Sequence, residues 1–110
     1  MKVFLFLILC AVQSIAYAAG WASGDNTAVI TTISIEGGLV KVAYTAADTA
    51  DPDQCGNQGV FILQDDSKNG DRQYSAILAA RMSEKPIRIY VHGCVSAFGQ
   101  TWPKLWSIFI

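Results

Sequence analysis

VFILQDDSKNGDRQYSAILAARMSEKPIRIYVHGC, residues Val60 to Cys94, changes its hydrophobic period twice, and those changes decide the fold. Val60–Leu63 is a continuous apolar run bounded by polar turn residues, which predicts a short buried strand. Asp65–Gly70 is a polar turn. Arg72–Ser83 then takes helical spacing, with Tyr74, Ile77, Leu78 and Met82 on one face. Asp71 or Asn69 supplies a cap for the helix start. Pro86 stops the helix, because the residue before a proline avoids helical dihedrals. Ile87, Ile89 and Val91 alternate with Arg88, Tyr90 and His92, so a strand resumes. Gly93-Cys94 is expected to end it.

Upstream, Val29, Thr31, Ile33 and Ile35 alternate with Ile30, Thr32, Ser34 and Glu36, a β-branched strand pattern. Gly37-Gly38 follows, a tight-hairpin pair because both residues tolerate positive φ. Val40, Val42 and Tyr44 mark the return strand. Ala46–Gly59 is a turn-rich loop. Ala19–Thr27 reads as a loose leader on which Trp21 can dock. Downstream, Val95–Lys104 is expected to be a loop carrying Phe98, Trp102 and Pro103. Leu105–Ile110 is expected to be the last strand.

Residues 1–18 read as a cleavable secretory signal peptide: Lys2, the apolar run Val3–Val12, then Ala16-Tyr17-Ala18 at the cleavage positions. The run is too short to span a bilayer. Cys10 is not read as a lipidation site, because Leu9 before it is not small, so a soluble product is expected. Residues 19–110 then form a single small domain of 92 residues. That segment holds seven Lys plus Arg against nine Asp plus Glu, without a basic patch. This composition disfavours nucleic acid and anionic membranes as partners. Cys55 and Cys94 are the two cysteines left after cleavage, and in an exported domain they most economically form one disulfide. The short signal and the absence of a glycosylation sequon suit a bacterial periplasmic or secreted protein.

Five strands with one helix between the third and fourth is the order of an OB-fold, hence an α+β, OB-like five-stranded antiparallel barrel or sheet with one disulfide. The hairpin, DPDQCGNQG (Asp51–Gly59), YSAILAARMSEKPIRIYVHGC (Tyr74–Cys94) and a final aromatic strand also resemble a family of small secreted bacterial proteins similar to the subtilase cytotoxin B subunit. The resemblance implies a non-catalytic OB-fold that binds sialylated glycans as a pentamer. It implies no site residue, because none of the family's sugar contacts matches a position here.

Candidate chemistry is sparse. His92 is the sole histidine and both cysteines are expected to be oxidised, so no nucleophile–base pair stands out. The His92 side chain is expected on the polar face of its strand. The pairs Asp51/Asp53 and Asp65/Asp66 are read as turn residues rather than catalytic carboxylates. Asp65–Asp71 partly matches a calcium loop, but Ala76 stands where a bidentate Glu is required. No metal, cofactor or catalytic residue is therefore expected. Tyr90, Phe98, Trp102 and Trp106 cluster around the last two strands. Aromatics combine large apolar area with low entropy cost, which serves sugar stacking, protein interfaces and small cores alike. Tyr90, His92, Phe98 and Trp102 are the candidate binding residues, with Trp102 foremost because it stands in a loop stiffened by Pro103. For Trp102 itself the core reading outweighs the binding one, and Trp106 is expected to be packed.

The sequence thus points to an exported, non-catalytic module that binds a glycan or protein ligand and resembles a toxin B subunit. The alternative is a periplasmic inhibitor or accessory protein of a single enzyme. A small hydrolase is disfavoured by the missing catalytic set. The exported protein should begin at or near Ala19. Intact-mass spectrometry that found Met1 retained, or a lipid on Cys10, would refute the cleavage site.

Overall fold

The computed structural model describes residues 19–23, 27–64 and 67–110. The expected signal peptide and the first two residues of the calcium-like loop, Asp65 and Asp66, lie outside these. The elements in chain order are β1 (Gly20–Trp21), β2 (Val29–Glu36), β3 (Leu39–Thr45), β4 (Val60–Leu63), α1 (Lys68–Ser83), β5 (Arg88–Ala97) and β6 (Gln100–Phe109).

The β2–β3 hairpin forms as the sequence predicts, with Glu36 opposite Leu39. Gly37 and Gly38 have φ of 57° and 79°, the sign that a two-residue type I′ turn requires at both positions. From there β3 pairs antiparallel with β4, β4 lies parallel to β6 through Ile62 opposite Lys104, and β6 pairs antiparallel with β5. The sheet order is β1-β5-β6-β4-β3-β2. Its far sides meet where Ala28 and Ile87 exchange backbone hydrogen bonds of 3.3 and 2.8 Å. That exchange joins the start of β2 to the start of β5 and turns β2-β3-β4-β6-β5 into a ring.

The fold is therefore α+β with a mixed sheet of six strands, where five antiparallel strands were expected. The sixth is the presumed leader: Gly20 and Trp21 lie opposite Val91 and Tyr90 along the edge of β5. The parallel step arises because the α1 crossover returns the chain on the other side of β6 from β4. The helix starts four residues earlier than its apolar spacing indicates. Ser67, not Asn69 or Asp71, is the N-cap, its Oγ accepting from the backbone N–H of Asn69 at 3.2 Å.

Apart from the Phe98-Gly99 turn, residues 95–104 are strand rather than loop, and Gly93 does not end β5. The β5–β6 ladder absorbs Gly93 through two compensating bulges. Tyr90 faces Ser107 and Val91 faces Leu105, so Trp106 is one residue too many on β6. Val91 faces Leu105 and Cys94 faces Pro103, so the pair His92-Gly93 opposes Lys104 alone on β5. Gly93 takes φ of 79°, which a side chain would strain. On either side of this region the register is the same.

The main core gathers Ile30, Val42, Phe61, Leu63, Ile77, Ile89, Val91 and Leu105, all essentially inaccessible. Tyr44 joins it, its Oη donating to the Ala22 carbonyl, and burial pushes its phenol up to about 12. A second cluster of Ile62, Val95 and Trp102 lies on the opposite sheet face with Leu39, Val60 and Ala97 around it. Ile62 alternates with Phe61 and Leu63, so β4 is covered on both faces, as its unbroken apolar run predicts.

Cys55 and Cys94 are disulfide-bonded with Cα atoms 5.7 Å apart. Cys94 sits inside β5 just past the bulge, not at the strand exit. Asp51 accepts from the N–H groups of Cys55 (2.8 Å) and Gly56 (2.7 Å), and Asp53 accepts from the N–H of Gly93 at 2.6 Å. Both acids are thus capping groups. Thr101 Oγ1 donates to the Cys55 carbonyl, and Asn57 Nδ2 donates to the Thr101 carbonyl at 2.7 Å. Cys55→Ser should cost about 2 to 5 kcal/mol, read as a lower urea midpoint than the oxidised parent. An unchanged midpoint would show that the loop contacts alone hold this region.

Candidate functional site

Arg88, Tyr90 and His92 point away from the core because Ile89 and Val91 between them point into it. The neighbouring strands bring further rings to the same outer face. Trp21 on β1 meets Tyr90 edge-on at 5.2 Å and Phe109 at 5.3 Å between centroids. The Arg88 guanidinium lies 3.8 Å over the Trp21 ring, in cation–π contact. Further along, His92 meets Trp106 edge-on at 5.3 Å. Strands β1, β5 and β6 thus carry five rings in two contact groups, in which Trp106 is 58% and Phe109 50% exposed.

Of the four residues singled out from the sequence, Tyr90 and His92 belong to these groups. Phe98 and Trp102 lie elsewhere. Trp102 is only 8% exposed and its Nε1 donates to the Ala97 carbonyl at 2.9 Å. Phe98 stands edge-on to it at 6.5 Å, and the Lys41 ammonium sits 5.2 Å from both rings. Lys41 also pairs with Glu36 at 3.5 Å. Phe98 has φ of 53° at the hairpin tip, a strained value for an aromatic residue. Of the two readings open for Trp102 the packed one holds, whereas Trp106, expected to be packed, is exposed. The reason is the ladder geometry. Trp102 lies opposite Val95 in regular β-structure, whereas Trp106 is the bulged residue and is turned outward.

The residues missed by sequence reasoning are Trp21, Trp106 and Phe109. Trp21 had a signal, an aromatic in a leader otherwise made of small and polar residues. Trp106 had none without the register.

Two cavities flank Trp106. One of about 270 Å³ is lined by Gln64, Asn69, Gln73, Lys104, Leu105 and Trp106. The other, about 320 Å³, shares Asn69, Gln73 and Trp106 and extends to Arg72 and Ile108. Among the described residues no three His, Cys, Asp or Glu side chains gather as a metal site. None of the described helices is long and apolar enough to cross a membrane. No protein-family model, curated protein or solved structure matches the chain.

Trp102→Ala should cost about 3 to 5 kcal/mol of stability, as large-to-small core changes do, while Trp106→Ala should stay within about 0.5 kcal/mol. Urea titration of both variants checks this. The reverse order of midpoints would place Trp106 in the core.

Proposed function

We propose that the chain is an exported, non-catalytic recognition module whose ligand docks on the outer aromatic face of β1, β5 and β6. The observation that carries this reading is the set of rings Trp21, Tyr90, His92, Trp106 and Phe109, left open on one face of a small domain. Exposed aromatic surface of this kind marks interaction sites. A sheet face studded with flat rings suits the C–H faces of sugars, so a glycan is the ligand class.

The ring order β2-β3-β4-β6-β5, with α1 between β4 and β5 and closure at Ala28–Ile87, supports an OB-like barrel. In that barrel β1 is an added edge strand. The disulfide supports export, since such bonds persist in oxidising compartments. Together with the resemblance to toxin B subunits, these features extend the proposal to a homo-oligomer. The rival reading, a periplasmic inhibitor of one enzyme, would use the same face against a protein.

The test is a glycan array probed with the exported chain and with a Trp21→Ala/Trp106→Ala double variant, alongside light scattering for the oligomer. Binding to a defined glycan set should fall at least about 30-fold in the variant, the equivalent of a 2 kcal/mol hot spot. Its circular dichroism should remain that of the parent. A blank array, or equal binding by both proteins, would overturn the glycan reading.

A further inference from the structure

We propose that the groove between α1 and β6 is a subsite for a single pyranose ring, stacked by its C–H face on the indole of Trp106. The inference rests on the recognition role above and adds to it a place, a sugar form and the groups that hold it.

Three observations converge on this groove. The bulge that makes Trp106 the extra residue of β6 turns its ring outward, and bulges commonly re-aim a side chain beside a functional site. The platform is also held in place. Gln73, only 8% exposed, reaches from α1 and donates its Nε2 to the Trp106 carbonyl at 2.8 Å. His92, beside the bulged position of the opposite strand, meets the indole edge-on at 71° between planes. A ring fixed by a backbone contact and a neighbouring ring loses little freedom when a ligand stacks on it.

The walls have the chemistry of a sugar rim. The smaller lobe is lined by Gln64 and Lys104 together with Trp106. Amides both donate and accept, as sugar hydroxyls do, and an ammonium adds donors. An apolar peptide side chain seated here would strip water from those groups without replacing its hydrogen bonds, which is unfavourable. A pyranose meets both demands, with an apolar face for the indole and hydroxyls for the rim. The second lobe, which shares Trp106 and reaches Arg72, leaves room for the chain to which that sugar is linked.

Saturation-transfer NMR on the chain tests the subsite, with methyl β-galactopyranoside, methyl β-glucopyranoside and methyl β-glucuronide as probes. At least one should receive saturation on its C–H face. The signal should fall at least tenfold in Trp106→Ala, persist in Trp106→Phe and weaken several-fold in Gln64→Ala. Gln64 is exposed, so its variant keeps the test open if a Trp106 change disturbs the fold. Saturation of the glucuronide that is lost at high salt and in Lys104→Ala would identify an acidic sugar; salt-independent saturation of the neutral probes would identify a neutral one. Saturation that survives Trp106→Ala but is lost in Trp21→Ala would overturn the subsite while leaving a glycan on the aromatic face. Array binding with no saturation of any single pyranoside would also overturn it. A blank array would fail the recognition reading itself.

Discussion

A strand shows alternate side chains to alternate faces, so one additional residue exchanges everything beyond it. The β5–β6 ladder depends on this rule. Val91 and Leu105 face the main core, and across the bulges Val95 and Trp102 face the other side of the sheet. Were β5 a regular strand without this bulge, Val95 would follow Val91 inward and the second cluster would have no roof. With both bulges present, the far end of the hairpin folds over Ile62 and closes β4 on its second face. The two residues left over by this adjustment, His92 and Trp106, become exposed rings of the outer face. Packing and candidate site thus come from the same pair of irregularities.

The surroundings hold those irregularities in place. Asp53 accepts the N–H of Gly93, which lies in the β5 bulge, and the adjacent Cys94 is tied to Cys55 in the same loop as Asp53. Gln73 accounts for the Trp106 carbonyl on the other strand. A bulge disrupts ladder bonding locally, and a backbone group left unpaired in a buried setting costs on the order of a lost hydrogen bond. Here the acidic loop serves one strand and the helix serves the other. Asp51 and Asp53, read from the sequence as turn residues, thus accept from backbone N–H groups.

The parts legible from the sequence were those governed by local period and local chemistry. Val29–Thr45 with Gly37-Gly38 gave its hairpin, Val60–Leu63 its doubly covered strand, Tyr74–Met82 its helix, and Cys55 and Cys94 their bond. What stayed hidden was set by pairing across the sheet. Gly93 carries the same residue signal whether it ends a strand or bulges it, and only the partner strand decides which. From that ambiguity followed the misplaced loop at Val95–Lys104 and the unforeseen exposure of Trp106. Trp21 was obscured differently. Two residues have no period, and their strand character comes from the β5 edge they cover.

The disulfide has a mechanical meaning as well. Its covalent ring spans a sequence separation of 39 and encloses β4, α1 and the first part of β5. A force applied to the two ends of the chain cannot lengthen that segment. On a rise of about 3.5 Å per extended residue, roughly 135 Å of contour is withheld from stretching. Tension would instead be borne at the outer joints, the Ala28–Ile87 exchange and the two-residue hold of β1 on β5. A surface-binding module loaded through its chain ends would then open at its edges first, with the helix and its flanking strands still linked as one body.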